Sequence, residues 1–272
     1  DPPALGAHRQ SLRPAPSSPL AHRRPGCACR RLRRLNEAAA ELERALTLAP
    51  EDADTHNELG ITYALQGRQE EAVQRYNRAL ELAPDRAIYR RNLSVVYRQM
   101  KLYDLAAEEL QRALALEPGR ADWHGELGSV YELQGRHEDA LREHRRAAEL
   151  EPQEATHHRN VGATSIRLGR LAEAAEALQR AIQRRPGYAA AQNELGVVYT
   201  MLGRHEEALQ WYRQAAQAQP QEATYHRNAG AAEALLGHLS EAASELAIAL
   251  DLRPGSPAWR NELGDVLLKL DR

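Results

Sequence analysis

Between Ala189 and Glu222 the apolar residues fall into two runs with a helical period. Leu195, Val198, Tyr199 and Leu202 recur at spacings of three and four, so they share one helical face. Gly203 closes that run, because glycine accepts the left-handed conformation found at helix C-termini. Ala208, Trp211, Tyr212 and Ala215 make a second face. Pro220 ends it, since proline has no N–H to donate and clashes with the preceding turn. The pattern returns along the chain at a fixed step: Pro50, Pro84, Pro118, Pro152, Pro186, Pro220 and Pro254 are each 34 residues apart. Each step therefore predicts one helix–turn–helix.

A 34-residue helix pair with Leu195, Gly196, Tyr199, Ala208, Tyr212, Ala215 and Pro220 in these places resembles the tetratricopeptide repeat. Gln192 stands where the family pattern has Trp. The resemblance implies an all-α fold, a right-handed α-solenoid of antiparallel helix pairs whose first helices line a concave face. Six complete repeats are expected over residues 53–256. Residues 32–52 match the second helix of a degenerate opening repeat, through Ala38, Leu42, Ala45 and Pro50. Residues 257–272 supply a first helix with Leu263, Gly264 and Leu267 in phase, belonging to a truncated repeat or acting as a cap. Helices of about 13 residues are marginal alone in water, so stacking must stabilise them. Small residues, such as Gly60 and Gly196 in first helices and Ala72 and Ala208 in second helices, mark where two helices approach closely. A longer period overlies the first. HNELG, HGELG, QNELG and RNELG alternate with RRNLS, HRNVG and HRNAG, so the duplicated unit is 68 residues.

Charge changes the picture only at the start. The formal net charge is −2, yet eight Arg face one Asp up to Asn36, leaving about −9 for the rest. Residues 1–31 are rich in Pro, Ser and Arg and have no helical period, which predicts disorder. They read as a solvated tail, a transit-like segment or a basic arm. Cys27 and Cys29 with His22 have too few ligands and the wrong spacing for a structural zinc site. Neither end has the look of a native terminus, so a fragment of a longer protein is expected. No apolar run reaches the roughly 18 residues of a membrane span, and the expected location is cytoplasmic.

Catalytic motifs are missing. The chain contains no GxxxxGK[ST] loop and no GxGxxG following a strand. His137-Glu138 and His205-Glu206 begin like a zinc-protease helix, but Leu141 and Leu209 stand where the second His belongs. His56, His124, His158 and His226 take the family's Trp place and read as packed residues, as does His144 in a second helix. The chain is therefore expected not to be an enzyme and to need neither cofactor nor metal.

The resemblance assigns the concave face to places 2, 5, 6, 9, 12 and 13 of each first helix. Eight acidic and six basic residues fall there, among them Asp54, Asp122, Arg98 and Arg167. That balance argues against nucleic acid, whose binding requires a marked positive excess. Asn92, Asn160 and Asn228 at place 6 resemble the asparagine ladder of O-linked N-acetylglucosamine transferase and kinesin light chain; Asn57, Asn193 and Asn261 occupy place 5 of the other repeat type. An Asn amide donates and accepts, so it can hold a peptide backbone without reading sequence. Glu58, Glu126, Glu194 and Glu262 interrupt the ladder and alternate with Arg91, Arg159 and Arg227. They read either as a mixed-charge peptide surface or as a structural ladder in which each Glu satisfies the Arg of the next repeat. The carboxylate clamp of heat-shock co-chaperones is not matched, since Val95, Glu126, Thr156 and Asn160 stand in its places. The expected function is a protein–protein interaction scaffold binding a peptide or partner segment, with Ile61, Val95, Val197 and Met201 beside the polar row. The alternative is the substrate-recruiting array of a larger enzyme, such as a glycosyltransferase. Self-association through Val266, Leu267 and Leu270 of the last helix is a further expectation.

Overall fold

A computed structural model describes residues 34–271. The expected disorder of residues 1–31, the opening half-repeat before residue 34 and the Cys27/Cys29 reading lie outside the described residues. The described chain is helical, without strands, and falls into two compact units that divide between Gln134 and Gly135. The first holds α1 (Leu35–Leu48), α2 (Ala53–Leu65), α3 (Gln69–Leu82), α4 (Ala87–Gln99), α5 (Tyr103–Leu116) and α6 (Ala121–Leu133). The second holds α7 (His137–Leu150), α8 (Ala155–Arg167), α9 (Leu171–Arg184), α10 (Ala189–Met201), α11 (His205–Ala218), α12 (Ala223–Leu235), α13 (Leu239–Leu252) and α14 (Pro257–Leu270). Inside each unit every helix packs on the next one along the chain. The fold class is thus an all-α solenoid of helix pairs.

The prolines end the second helices through the residue before them. Ala49, Ala83, Glu117, Glu151, Arg185, Gln219 and Arg253 are all extended, with ψ between 73° and 89°, because proline pushes its predecessor out of the α region. The first helices end on a left-handed residue. In five turns this is glycine; in the α4–α5 turn it is Lys101, with φ 62°. The spacing placed Leu202 on the buried face of α10. Instead it caps the helix and is exposed, because the helix stops at Met201. Leu195 and Val198 are fully buried.

Close approach explains the small residues. A Cβ on Gly196 would lie 2.6 Å from the Tyr212 ring, inside van der Waals contact. Ala72, Ala106, Ala140, Ala174, Ala208 and Ala242 have no exposed surface.

The residues at the family's Trp place are more than packed. The Nε2 of His56 donates to the Pro50 carbonyl at 2.9 Å. His124, His158 and His226 repeat the bond to Pro118, Pro152 and Pro220 at 3.0–3.1 Å. Gln192 donates to Pro186, Arg90 to Pro84 and Arg260 to Pro254. A side-chain N–H thus ties each first helix to the carbonyl of the proline six residues earlier, where the helix ladder supplies no donor.

Candidate functional site

One geometric rule organises the first-helix face: the residue at place 5 of one repeat meets the residue at place 6 of the next, 35 positions along. In the first unit the Asn92 amide donates to the Asn57 carbonyl at 2.9 Å. Arg91 pairs bidentately with Glu126, its Nε at 2.9 Å. In the second unit Arg159 pairs with Glu194 at 3.0 Å, Asn228 donates to Asn193 at 2.8 Å, and Arg227 pairs with Glu262 at 2.8 Å. Amide pairs and ion pairs therefore alternate within a unit. This gives the 68-residue period a physical cause. One repeat type carries Asn at place 5, or Gly125 in one copy, and Glu at place 6, the other Arg and Asn, and each finds its complement only in the other.

The pairing runs opposite to the ladder expected from sequence: Arg91, Arg159 and Arg227 each bond the Glu of the repeat that follows. Place 5 points forward along the array, which spacing alone does not show. The asparagines also have partners within the row. Asn92 and Asn228 spend one N–H on Asn57 and Asn193, and their carbonyls accept from Arg91 and Arg227 at 3.4 and 3.2 Å. Asn57 is buried, Asn193 half-buried and Asn261 exposed. Asn160 and Glu58 lie half-buried at place 6, and Gly125 rather than Asn stands 35 residues before Asn160.

The ion pairs are neither exposed nor sealed: Arg91 and Glu126 keep 32% and 25% of their side-chain surface, Arg159 and Glu194 32% and 18%. Hydrogen bonding to Glu126 and to Glu262 holds the Arg91 and Arg227 guanidiniums more firmly charged than usual. The row is therefore pre-ordered, with each bidentate guanidinium fixed in its fork geometry. Around it stand half-buried Ile61, Val95 and Val197. Exposed apolar side chains stand at place 13: Leu65 and Leu133 in the first unit, Met201 and Leu235 in the second.

Sequence reasoning missed the most deeply buried carboxylate among the described residues. Glu233 on α12 takes the place filled by Tyr63, Tyr131 and Tyr199 in other repeats, and is 1% exposed. It accepts from Arg213 on α11 and from His238 Nδ1 at 2.8 Å. A Glu among tyrosines was the available signal. His137 and His205 are the first residues of α7 and α11, and His144 is buried on α7. Among the described residues no cluster of three or more His, Cys, Asp or Glu could hold a metal ion. No helix among them is long and apolar enough to cross a membrane.

An all-helical stack of hairpins with an ordered polar row along its first helices is the architecture of an interaction scaffold. The chain belongs to the tetratricopeptide-repeat family, whose sequence profile matches residues 26–87, 91–155 and 165–223. No curated protein matches it significantly in sequence. Among solved structures it is similar to YrrB, described as a TPR protein with an unusual peptide-binding site (26% identity, 66% of this chain and 92% of that one, TM-score 0.58). It is similar to MamA at 25% identity over 60% of this chain and 95% of that one, TM-score 0.56. It shares the fold of PilF from Pseudomonas aeruginosa at 24% identity over 78% and 97%, TM-score 0.65.

Proposed function

We propose that the first-helix face of each unit holds an extended segment of a partner protein, with the asparagines and Arg–Glu pairs as a rigid polar floor and the place-13 side chains as apolar contacts. The observation that carries this reading is the repeated place-5/place-6 network. Its side chains are ordered before any partner arrives, which lowers the entropic cost of binding. The amide pairs use one N–H of Asn92 and of Asn228, so each has a second to offer a backbone carbonyl. The nearly balanced charge supports a polypeptide over a nucleic acid. The peptide-binding site described for YrrB supports the same ligand class in a similar array.

The test is a selection of phage-displayed random peptides on the wild-type protein, repeated on Asn92→Ala/Asn160→Ala/Asn228→Ala. The expected outcome is a set of peptides whose binding falls at least tenfold on the variant while its circular dichroism is unchanged. Equal binding by a folded variant counts against the face.

A further inference from the structure

The sister repeats act as an internal reference for a cavity in the second unit. Three positions converge there, one on the second helix of the third repeat and two in the fourth, and each holds a small side chain. Ala148 stands where other repeats carry Leu80, Leu114, Ile182 and Leu250; Val161 stands where most carry Leu; Ala177 stands where the others carry Arg75, Glu109, Glu143, Trp211 and Glu245. The equivalent place 68 residues on also has alanines at the first two positions, Ala216 of the fifth repeat and Ala229 of the sixth. There Glu245 fills the third and bonds His226 at 2.8 Å. In the fourth repeat nothing replaces the missing volume. A cavity of about 430 Å³ opens between α7 and α9 over α8, within the roughly 300–1,000 Å³ range of small-ligand sites.

Its chemistry is specific. Ala148, Pro152, Val161 and Ala177 supply apolar wall. His158 lies in the lining, and its Nε2 donates to the Pro152 carbonyl at 3.0 Å. A carbonyl only accepts, so the neutral ring carries its lone pair on Nδ1. The rim charges pair with one another: Arg145 with Glu173, Arg180 with Glu176, and Glu149 with Arg146. The site thus offers apolar surface and the His158 acceptor, inside a rim of paired charges that leaves no unpaired charge for an ion. In the next repeat the chain fills the matching position itself: Trp211 packs on the cluster that contains Leu195 and Ile182.

We infer that this cavity receives the indole ring of a tryptophan from a second polypeptide, taking the place that Trp211 takes in the neighbouring repeat. The ring buries its faces against Val161 and Ala177, and its N–H donates to His158. The site lies between two second helices, with only His158 and Val161 from a first helix and none of the place-5 or place-6 residues, so it stands or falls separately from the polar row.

N-acetyltryptophanamide is titrated into the full chain, with amide NMR shifts and calorimetry as readouts, and free indole as a second probe. Saturable shifts centred on Ala148, Val161 and Ala177 are expected with both. Ala177→Trp, which inserts the chain's own ring, weakens binding at least tenfold and leaves melting temperature equal or higher. Ala148→Leu, a sister-repeat residue, does the same by a smaller change. No saturable shift, or equal binding by both folded variants, overturns the site. Binding of free indole without the capped amino acid overturns the polypeptide source.

Discussion

The fifth and sixth repeats share one turn and lock it with different chemistry. In the fifth, the α10–α11 turn places the Arg204 guanidinium 4.7 Å from the Tyr199 ring centre, a cation–π contact. In the sixth, the α12–α13 turn places His238 against Glu233 at 2.8 Å. The backbones match: Arg204 and His238 each donate to the carbonyl five residues back at 2.9 Å, and Gly203 and Gly237 are both left-handed. The turn is thus a fixed frame whose two side-chain places change together. An aromatic–cation pair, partly exposed, becomes a buried carboxylate that depends on its partners.

That dependence predicts the largest effect. Arg213→Ala/His238→Ala strands Glu233, and a buried charge without its partner costs about 3–5 kcal/mol, read as a lower urea midpoint. Adding Glu233→Tyr and restoring a cation as His238→Arg converts the turn to the fifth repeat's form and recovers most of the loss. No recovery would mean the two locks are not interchangeable. Next comes the crossing beneath the turn. Gly196→Ala sets a Cβ against Tyr212 and costs about 1–3 kcal/mol in thermal unfolding. The α4–α5 turn sharpens the comparison from the other side, since Lys101 holds the left-handed conformation without glycine. Lys101→Gly relieves that strain and gains roughly 1 kcal/mol.

The smallest effect separates the same two repeats by pH. Glu222 caps α12 by accepting from the Thr224 N–H at 3.2 Å, while Tyr188 gives α10 no side-chain cap. Hydrogen bonding from Thr224 holds the Glu222 carboxyl below the usual carboxylate range. The cap's contribution is therefore complete above about pH 4.3 and is lost as pH falls through the lowered folded value. The Thr224 amide resonance should move across that window, whereas the Ala190 amide at the start of α10 stays still.

Much of this was legible in the chain. Evenly spaced prolines and the 3.6-residue period are local constraints, so helix pairs, turns and the family followed from them. The place-4 residues carried a signal that packing arguments passed over: His56, Arg90, His124, His158, Gln192, His226 and Arg260 all bear an N–H donor. The direction of the Arg–Glu ladder did not follow, because it depends on how one first helix is offset from the next.

The sequence by itself determined the repeat, its period, the alternation of two repeat types and where helices begin and end, since backbone sterics and apolar spacing act over a few residues. Only the tertiary structure decided which side chains meet across repeats. It joined place 5 to place 6, buried Glu233 between Arg213 and His238, and brought Ala148, Val161 and Ala177 to one cavity. Those contacts depend on distances between helices, which no stretch of chain encodes alone.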